Sequence, residues 1–325
     1  MKIPRREVLH SALGMACLLA LPRGAAAQAY PARPVHLIVT TPAGGSPDII
    51  GRLVGQWLSE RFGQPFVVED RTGASGNIGT EFVVRSPPDG YTLLLALSGN
   101  AINAALYQNV NFNFIADTAP VASVATIPLV MEVTPSLPVK SVAEFIAYAK
   151  AHPGKLNAAS GGTGSPQHVA AELFDMMAGT KMTHVPYRGE GLALPDLMSG
   201  QVQVMFGVMP ASLGYIKAGK LRALAVTAAT RQAVLPDLPA VGEFLPGYEA
   251  NGWYGIVAPK ATPPDIVDAL NKEINAGLAD PKMKSRLTDL GCNVFAGSPA
   301  DFGKFIAAET AKWAKVVNFA GIKAN

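Results

Sequence analysis

Residues 35 to 50, Val35-His36-Leu37-Ile38-Val39-Thr40-Thr41-Pro42-Ala43-Gly44-Gly45-Ser46-Pro47-Asp48-Ile49-Ile50, constrain the fold more than any other stretch. A β-branched apolar run stops at a Pro/Gly turn, and apolar residues at helical spacing (Ile49, Ile50, Leu53, Val54, Trp57, Leu58) begin at once. The spacing predicts strand, tight loop, helix. Ser46 stands where an N-cap belongs, Pro47 at the first helical position and Asp48 in the first turn. Paired glycines allow close backbone approach, and a helix start leaves N–H donors without intrahelical partners, so such a site attracts anions. The device recurs 119 residues on, from Ser46 to Ser165, where Leu156 to Ser160 runs into Gly161-Gly162-Thr163-Gly164-Ser165-Pro166-Gln167. A helical pattern through Val169, Leu173 and Met176 follows.

With 325 residues, 49% hydrophobic and 16% charged, the chain has material for two cores and is not a disordered composition. Its first 29 residues read as an export signal: Lys2, Arg5 and Arg6, an apolar run from Val8 to Leu21, and small residues at Ala27-Gln28-Ala29. Export to the periplasm by the general secretory or the twin-arginine route fits equally. Of 27 basic and 24 acidic side chains, four basic (Lys2, Arg5, Arg6, Arg23) and one acidic (Glu7) lie there, so 23 of each remain. A neutral remainder argues against a nucleic-acid partner, which needs a basic excess. Cys292 alone remains once Cys17 is set aside, which excludes an internal disulfide and a thiolate metal cluster.

Strands at 35–39, 65–70 and 91–97 alternate with helical patterns, which predicts a parallel sheet with ligands beyond its carboxyl ends. The loops at Gly44, Gly73 and Ser98 fall at that edge. A strand-like run from Val121 to Val133 is broken at Pro128, and a capping box at Ser141 to Glu144 opens a second α/β unit. Asn251 to Pro259 reads as a crossing back, followed by helices capped at Thr262 and Ser298 that pack on the first unit. The fold class is therefore a two-lobed α/β protein with a sheet flanked by helices in each lobe. The expected boundaries are 1–29 signal, 30–128 plus 253–325 first lobe, and 129–252 second lobe.

The chemistry-bearing residues are few. Gly73-Ala74-Ser75-Gly76-Asn77-Ile78-Gly79 matches a dinucleotide fingerprint only loosely, so no cofactor is assigned. His36, His152, His168 and His184 show no metal-ligand spacing, so no metal is assigned; His168 stands out for its place beside a ligand loop. There is no G-x-S-x-G elbow, and neither Ser75 nor Ser165 has a base partner evident in sequence. Tyr187, with an aromatic face and a hydroxyl, is a better contact candidate than the loop charge Arg188.

Several motifs in order resemble one family: Tyr30-Pro31-x-Arg33-Pro34, Pro42-Ala43-Gly44-Gly45-x-x-Asp48, Gly73-x-x-Gly76-Asn77-Ile78-Gly79, Pro88-Asp89-Gly90-Tyr91-Thr92, Gly162-Thr163-Gly164-Ser165-Pro166-x-His168, Val185-Pro186-Tyr187-Arg188-Gly189 and Gly219 to Thr227. Together they resemble the Bug family, the extracytoplasmic solute receptors of tripartite tricarboxylate transporters. The resemblance implies a non-enzymatic, monomeric periplasmic binding protein that closes on a small carboxylate and works with integral-membrane transporter subunits. Carried over by position, first-lobe contacts are Ala43, Gly44, Gly45 and Asp48 with Ser98, and second-lobe contacts are Thr163, Gly164, Ser165 and Tyr187; the helix starts themselves add Ser46 and His168 as candidates. The family's usual Asp after Gly-Gln-Val is Gln203 here, and Gly207-Val208-Met209 and the Glu190-Gly191-Leu192 loop also depart from the family, from which we expect a ligand that is not an amino acid and has an apolar or aromatic body. The alternatives are a binding module that signals to a membrane sensor and an exported hydrolase using Ser75 or Ser165.

Overall fold

The computed structural model describes residues 30–107 and 109–324. The export-signal reading of residues 1–29 lies outside them. Among the described residues, eleven strands form two sheets. The first holds β1 (Val35–Val39), β2 (Phe66–Asp70), β3 (Thr92–Leu97), β4 (Thr118–Ile127), β10 (Gly252–Pro259) and β11 (Asn293–Val294), in the order β11-β4-β10-β3-β1-β2. The second holds β5 (Leu129–Val133), β6 (Asn157–Ser160), β7 (Thr183–Pro186), β8 (Val204–Val208) and β9 (Arg222–Val226), in the order β7-β6-β8-β5-β9. Helices α1 (Ser46–Phe62), α2 (Asn77–Val84), α3 (Ser98–Leu106) and α4 (Phe114–Asp117) belong to the first unit. The second carries α5 (Val142–Ala151), α6 (Pro166–Ala178), α7 (Glu190–Ser199) and α8 (Met209–Lys217), and α9 (Pro264–Ala279), α10 (Pro281–Asp289) and α11 (Pro299–Ala320) follow.

Both sheets are mixed, which corrects the expectation of a parallel sheet in the first unit. β1 runs parallel to β2 and β3, whereas β10 is antiparallel to β3 and β4. In the second sheet β6 is parallel to β7 and β8, and β5 is antiparallel to β8 and β9. The cause is the crossings. A strand that comes over from the other unit starts at the carboxyl edge, so it can only run back against its neighbours.

The registers fix where those edges lie. Ile127 pairs with Gly252 next to the Tyr254–Leu97 pair, so both crossings leave the first sheet beside the carboxyl end of β3. Leu129 pairs with Val208, so the chain joins the second sheet beside the carboxyl end of β8. Only Pro128 intervenes. The fully buried Thr227 takes the Leu129 N–H on its hydroxyl (2.9 Å), and its carbonyl accepts the Ala250 N–H (3.1 Å). One residue thus stitches the two crossings together.

Helix starts follow the local chemistry in most places. Ser141 and Ser298 cap α5 and α11, accepting the N–H of Glu144 (3.2 Å) and Asp301 (3.1 Å). Thr262 does not cap α9: its hydroxyl donates to the Pro259 carbonyl (2.7 Å), and Pro263 occupies the cap. The apolar core runs across both sheets, through Leu94, Leu129, Met131, Phe145, Phe174, Trp253, Phe302 and Trp313. Burying each such side chain contributes about 1.5–3 kcal/mol. α11 packs on β4 and α3, as a tail returning to the first unit should, and also on α6 of the second. Its Trp313 donates to Glu309 (3.0 Å), which is ion-paired with Lys312.

Candidate functional site

Four loops collect at the carboxyl edges. In the first, Gly44 takes the left-handed conformation (φ 82°) that only glycine adopts freely. Its N–H donates to Asp48 Oδ2 (2.8 Å), four residues on. Asp48 is buried and ion-paired with Arg52 (2.7 Å), without the alignment of a hydrogen bond. The Gly44 N–H, then Arg52, hold its carboxyl below the usual range. Gly45, not Ser46, is the N-cap of α1, and its carbonyl accepts the Ile49 N–H (3.0 Å). The cap assigned to Ser46 is corrected: Asp48 reaching back sets the helix register one residue earlier than Ser-Pro suggests.

The second loop repeats this geometry with other atoms. Gly164 is left-handed (φ 75°), and its N–H donates to His168 Nδ1 (3.1 Å), again four residues on. That bond puts the proton of a neutral His168 on Nε2, 3.5 Å from Glu172. Ser165 is the N-cap of α6 and accepts the His168 N–H (3.3 Å). The imidazoles of His168 and His184 stack at 3.4 Å, and His184 Nε2 meets Ser160 Oγ (2.6 Å), which accepts the Gly162 N–H (3.1 Å). Burial, with His168 beside it, lowers His184 to about 4.

Two expectations need correction. The N–H groups of Gly44 and Gly164 are committed internally, so these glycines do not offer donors outward; among the described residues, no acceptor meets those of Gly45, Ser46 and Thr163. Gly164 is also covered, since a Cβ there would lie 2.5 Å from Leu106 at the end of α3, whereas Gly44 has open space.

Ser98 opens α3, buried beside the crossing with its Oγ 3.8 Å from where a Cβ on Gly252 would lie. Ala43 is exposed at the tip of the first loop. Tyr187 bonds through its N–H to Ser160 (3.0 Å), which holds it against the second loop. Its hydroxyl is turned to Asp196 (2.7 Å), and burial and that carboxylate push it up to about 12. Sequence reasoning missed the third loop as a shaped element. Ala74 and Ser75 are left-handed (φ 46° and 55°), a cost of roughly 1–2 kcal/mol each. Asn103 holds the Ser75 carbonyl (2.8 Å), and Ser75 Oγ meets the Tyr107 hydroxyl (2.8 Å). The flanking Gly73 and Gly76 were its only signal.

Gln203 does not face a ligand. Its Oε1 accepts the Asn157 N–H (3.0 Å) and its amide donates to Gly200 (2.9 Å), both at the amino end of β6 and opposite the second loop. Gln203 therefore does not support the expected ligand character. Neither serine has a base: Ser75 meets a tyrosine, Ser165 a backbone amide, and His168 Nδ1 faces Gly164. Among the described residues, no cluster of His, Cys, Asp and Glu is placed to hold a metal, and no helix is long and apolar enough to cross a membrane.

Two α/β units whose carboxyl edges meet at a paired crossing, each with a helix start at that edge, define the two-lobed solute-binding class of protein. The chain belongs to the TctC family, described as the tripartite tricarboxylate transporter family receptor, whose model matches residues 50–322. It is 37% identical over 300 residues to Protein BugT of Bordetella pertussis, covering 91% of this chain and 92% of that one. Among solved structures it is similar to R. palustris Rpa4515 with adipate, at 39% identity and TM-score 0.78, covering 90% of this chain and 99% of that one. MatC (Rpa3494) from Rhodopseudomonas palustris with bound malate is 31% identical at TM-score 0.74, covering 89% and 100%. Periplasmic binding protein BugD is 33% identical at TM-score 0.75, covering 91% and 100%.

Proposed function

We propose that this receptor captures a small carboxylate or dicarboxylate between a first lobe of residues 30–128 plus 253–325 and a second of 129–252, and delivers it to integral-membrane transporter subunits. The observation that carries the reading is the meeting of the two carboxyl edges at Pro128, each sheet opening a helix at that edge two strands from the crossing. Helix N-terminal amides suit a carboxylate. In this reading Gly45, Ser46 and Thr163 supply N–H groups, while Gly44, Asp48, Gly164, Ser165 and His168 hold the loops in shape. Ala43, Ser98 and Tyr187 line the approach. The adipate and malate in the neighbours support the ligand class.

Capture works by closure: a ligand that touches both helix starts binds only the shut arrangement and shifts the population toward it. The receptor acts as a periplasmic monomer, exported by the general secretory or twin-arginine route, without catalysis. A thermal-shift and calorimetry panel of adipate, malate and aromatic carboxylates tests this. Ligand at 100 times its Kd stabilises by about 2.7 kcal/mol, a plain rise in Tm. A flat response to every carboxylate from ligand-free protein overturns the reading.

A further inference from the structure

Two carboxyl groups from different elements converge on Gly207 of β8, the neighbour of the strand β6 that runs into the second loop. Glu132, in β5, is fully buried; its Oε1 accepts the Ser212 hydroxyl (2.7 Å) and its Oε2 meets no partner. Glu190 opens α7, with Oε1 on the Val208 N–H (2.7 Å) and Oε2 on the Gln167 amide (3.3 Å). Both reach Gly207: a Cβ there would collide with Glu132 Oε1 and lie 2.6 Å from Ser212 Oγ and 2.9 Å from Glu190 Oε1. The missing side chain is what lets the two acids approach.

Among the described residues, no positive charge answers them. No Lys or Arg among the described residues is ion-paired with either carboxylate, and Arg222 of β9 is committed to the carbonyls of Leu137 and Val139 (both 2.9 Å). From α6 and β7 the ionisable neighbours are His168, on Gly164 and near Glu172, and the neutral His184. On α7, Asp196 takes the Tyr187 hydroxyl; on α8, Ser212 is the polar group that faces Glu132. Burial pushes Glu132 up to about 8, with Glu190 adding to the rise, and pushes Glu190 up to about 7. Of the two, Glu190 reaches the loop, through its backbone N–H and through the Gln167 amide that its carboxylate holds. Gly161 has its would-be Cβ 3.5 Å from the Gln167 amide and 3.5 Å from the Glu190 N–H.

We propose that Glu132 and Glu190 are a proton-holding pair near the second-lobe loop, and that a carboxylate seated on that loop is taken up together with a proton. The inference rests on the carboxylate-receptor reading above. A bound anion makes the ionised pair costlier and raises its proton affinity, and by linkage the proton tightens the anion. The proton comes from solvent and no bond between heavy atoms changes.

Calorimetry of adipate and malate binding at pH 7.5, in two buffers of different ionisation enthalpy, reads the proton directly. Adipate and malate carboxyls are already ionised there, so ligand titration does not contribute. The expected result is a buffer-dependent apparent enthalpy and an affinity that falls between pH 7 and 8.5, by about tenfold per pH unit at one full proton. Glu190→Gln and Glu132→Gln keep the shape and should each reduce the uptake and flatten the pH profile. Binding with a buffer-independent enthalpy overturns this inference and leaves the receptor reading standing. Uptake that survives in both variants overturns it too, by assigning the proton elsewhere. Loss of all carboxylate binding by the wild-type protein is the separate result that removes both. The wild-type buffer comparison decides even if Glu132→Gln does not fold.

Discussion

The two helix-start loops share one hydrogen-bond plan and differ in charge. In each, a left-handed glycine precedes the cap and donates its N–H to a side chain four residues on; in the first lobe that side chain is Asp48, in the second His168. Asp48 places a carboxylate at the positive end of α1, offset in part by Arg52. His168 accepts through a neutral nitrogen and leaves the end of α6 uncompensated. The same backbone shape is therefore held with two electrostatic settings, and an anion meets an unanswered helix end only in the second lobe. Near that end sit the acids of the further inference, so each lobe places a carboxyl group near its loop, at different depth.

Steric contrast gives the largest predicted difference. Gly44→Ala meets only the backbone penalty, about 1–2 kcal/mol. Gly164→Ala adds the collision with Leu106, for a loss of about 2–4 kcal/mol in urea unfolding. Leu106→Ala in the same chain should recover part of the second loss and none of the first; equal losses at both glycines would break the comparison.

Charge gives the next difference, with opposite signs in the two lobes. Asp48 is held below its ordinary 3.8, so its contribution is full above that pH and is lost as pH falls through the folded value. Glu132 and Glu190 are raised from 4.5 to about 8 and about 7, so stability is highest below 4.5 and declines toward those values. The decline reaches up to about 1.4 kcal/mol per pH unit for each group. Urea midpoints across pH should show Glu132→Gln flattening the decline between pH 4.5 and about 8 alone, and Asp48→Asn flattening the loss below pH 3.8 at a cost of about 1 kcal/mol near neutrality.

The caps give the smallest difference. Ser165→Ala should cost about 1 kcal/mol, because its hydroxyl oxygen holds the His168 N–H. Ser46→Ala should stay within about 0.5 kcal/mol, because that side chain makes no capping bond. Equal costs would restore the cap to Ser46.

That last pair shows where the sequence was legible. Ser-Pro occurs in both loops and looks equivalent, and the strand–loop–helix reading is right at both. Local pattern does not reveal that Asp48 reaches back and moves one cap by a residue. Strand direction was hidden for a related reason: the apolar run at Gly252 to Pro259 marks a buried strand, but only its arrival at a carboxyl edge makes it antiparallel. Ser141 and Ser298, which bond within four residues, were readable. Glu132 and Glu190 were not, because they meet only where Gly207 leaves room. Gln203 was not legible either, because only the sheet shows that it lies at the amino end of β6, bonded to Asn157 and Gly200.

The helix over Pro299–Ala320 lies against α3 of one unit and α6 of the other. Its apolar stripe, with Phe302, Ile306 and Trp313, is a shared wall. Neither half can finish its packing until the chain has been made past residue 313. A protein cut short before that point would be two unfinished halves rather than a smaller working receptor.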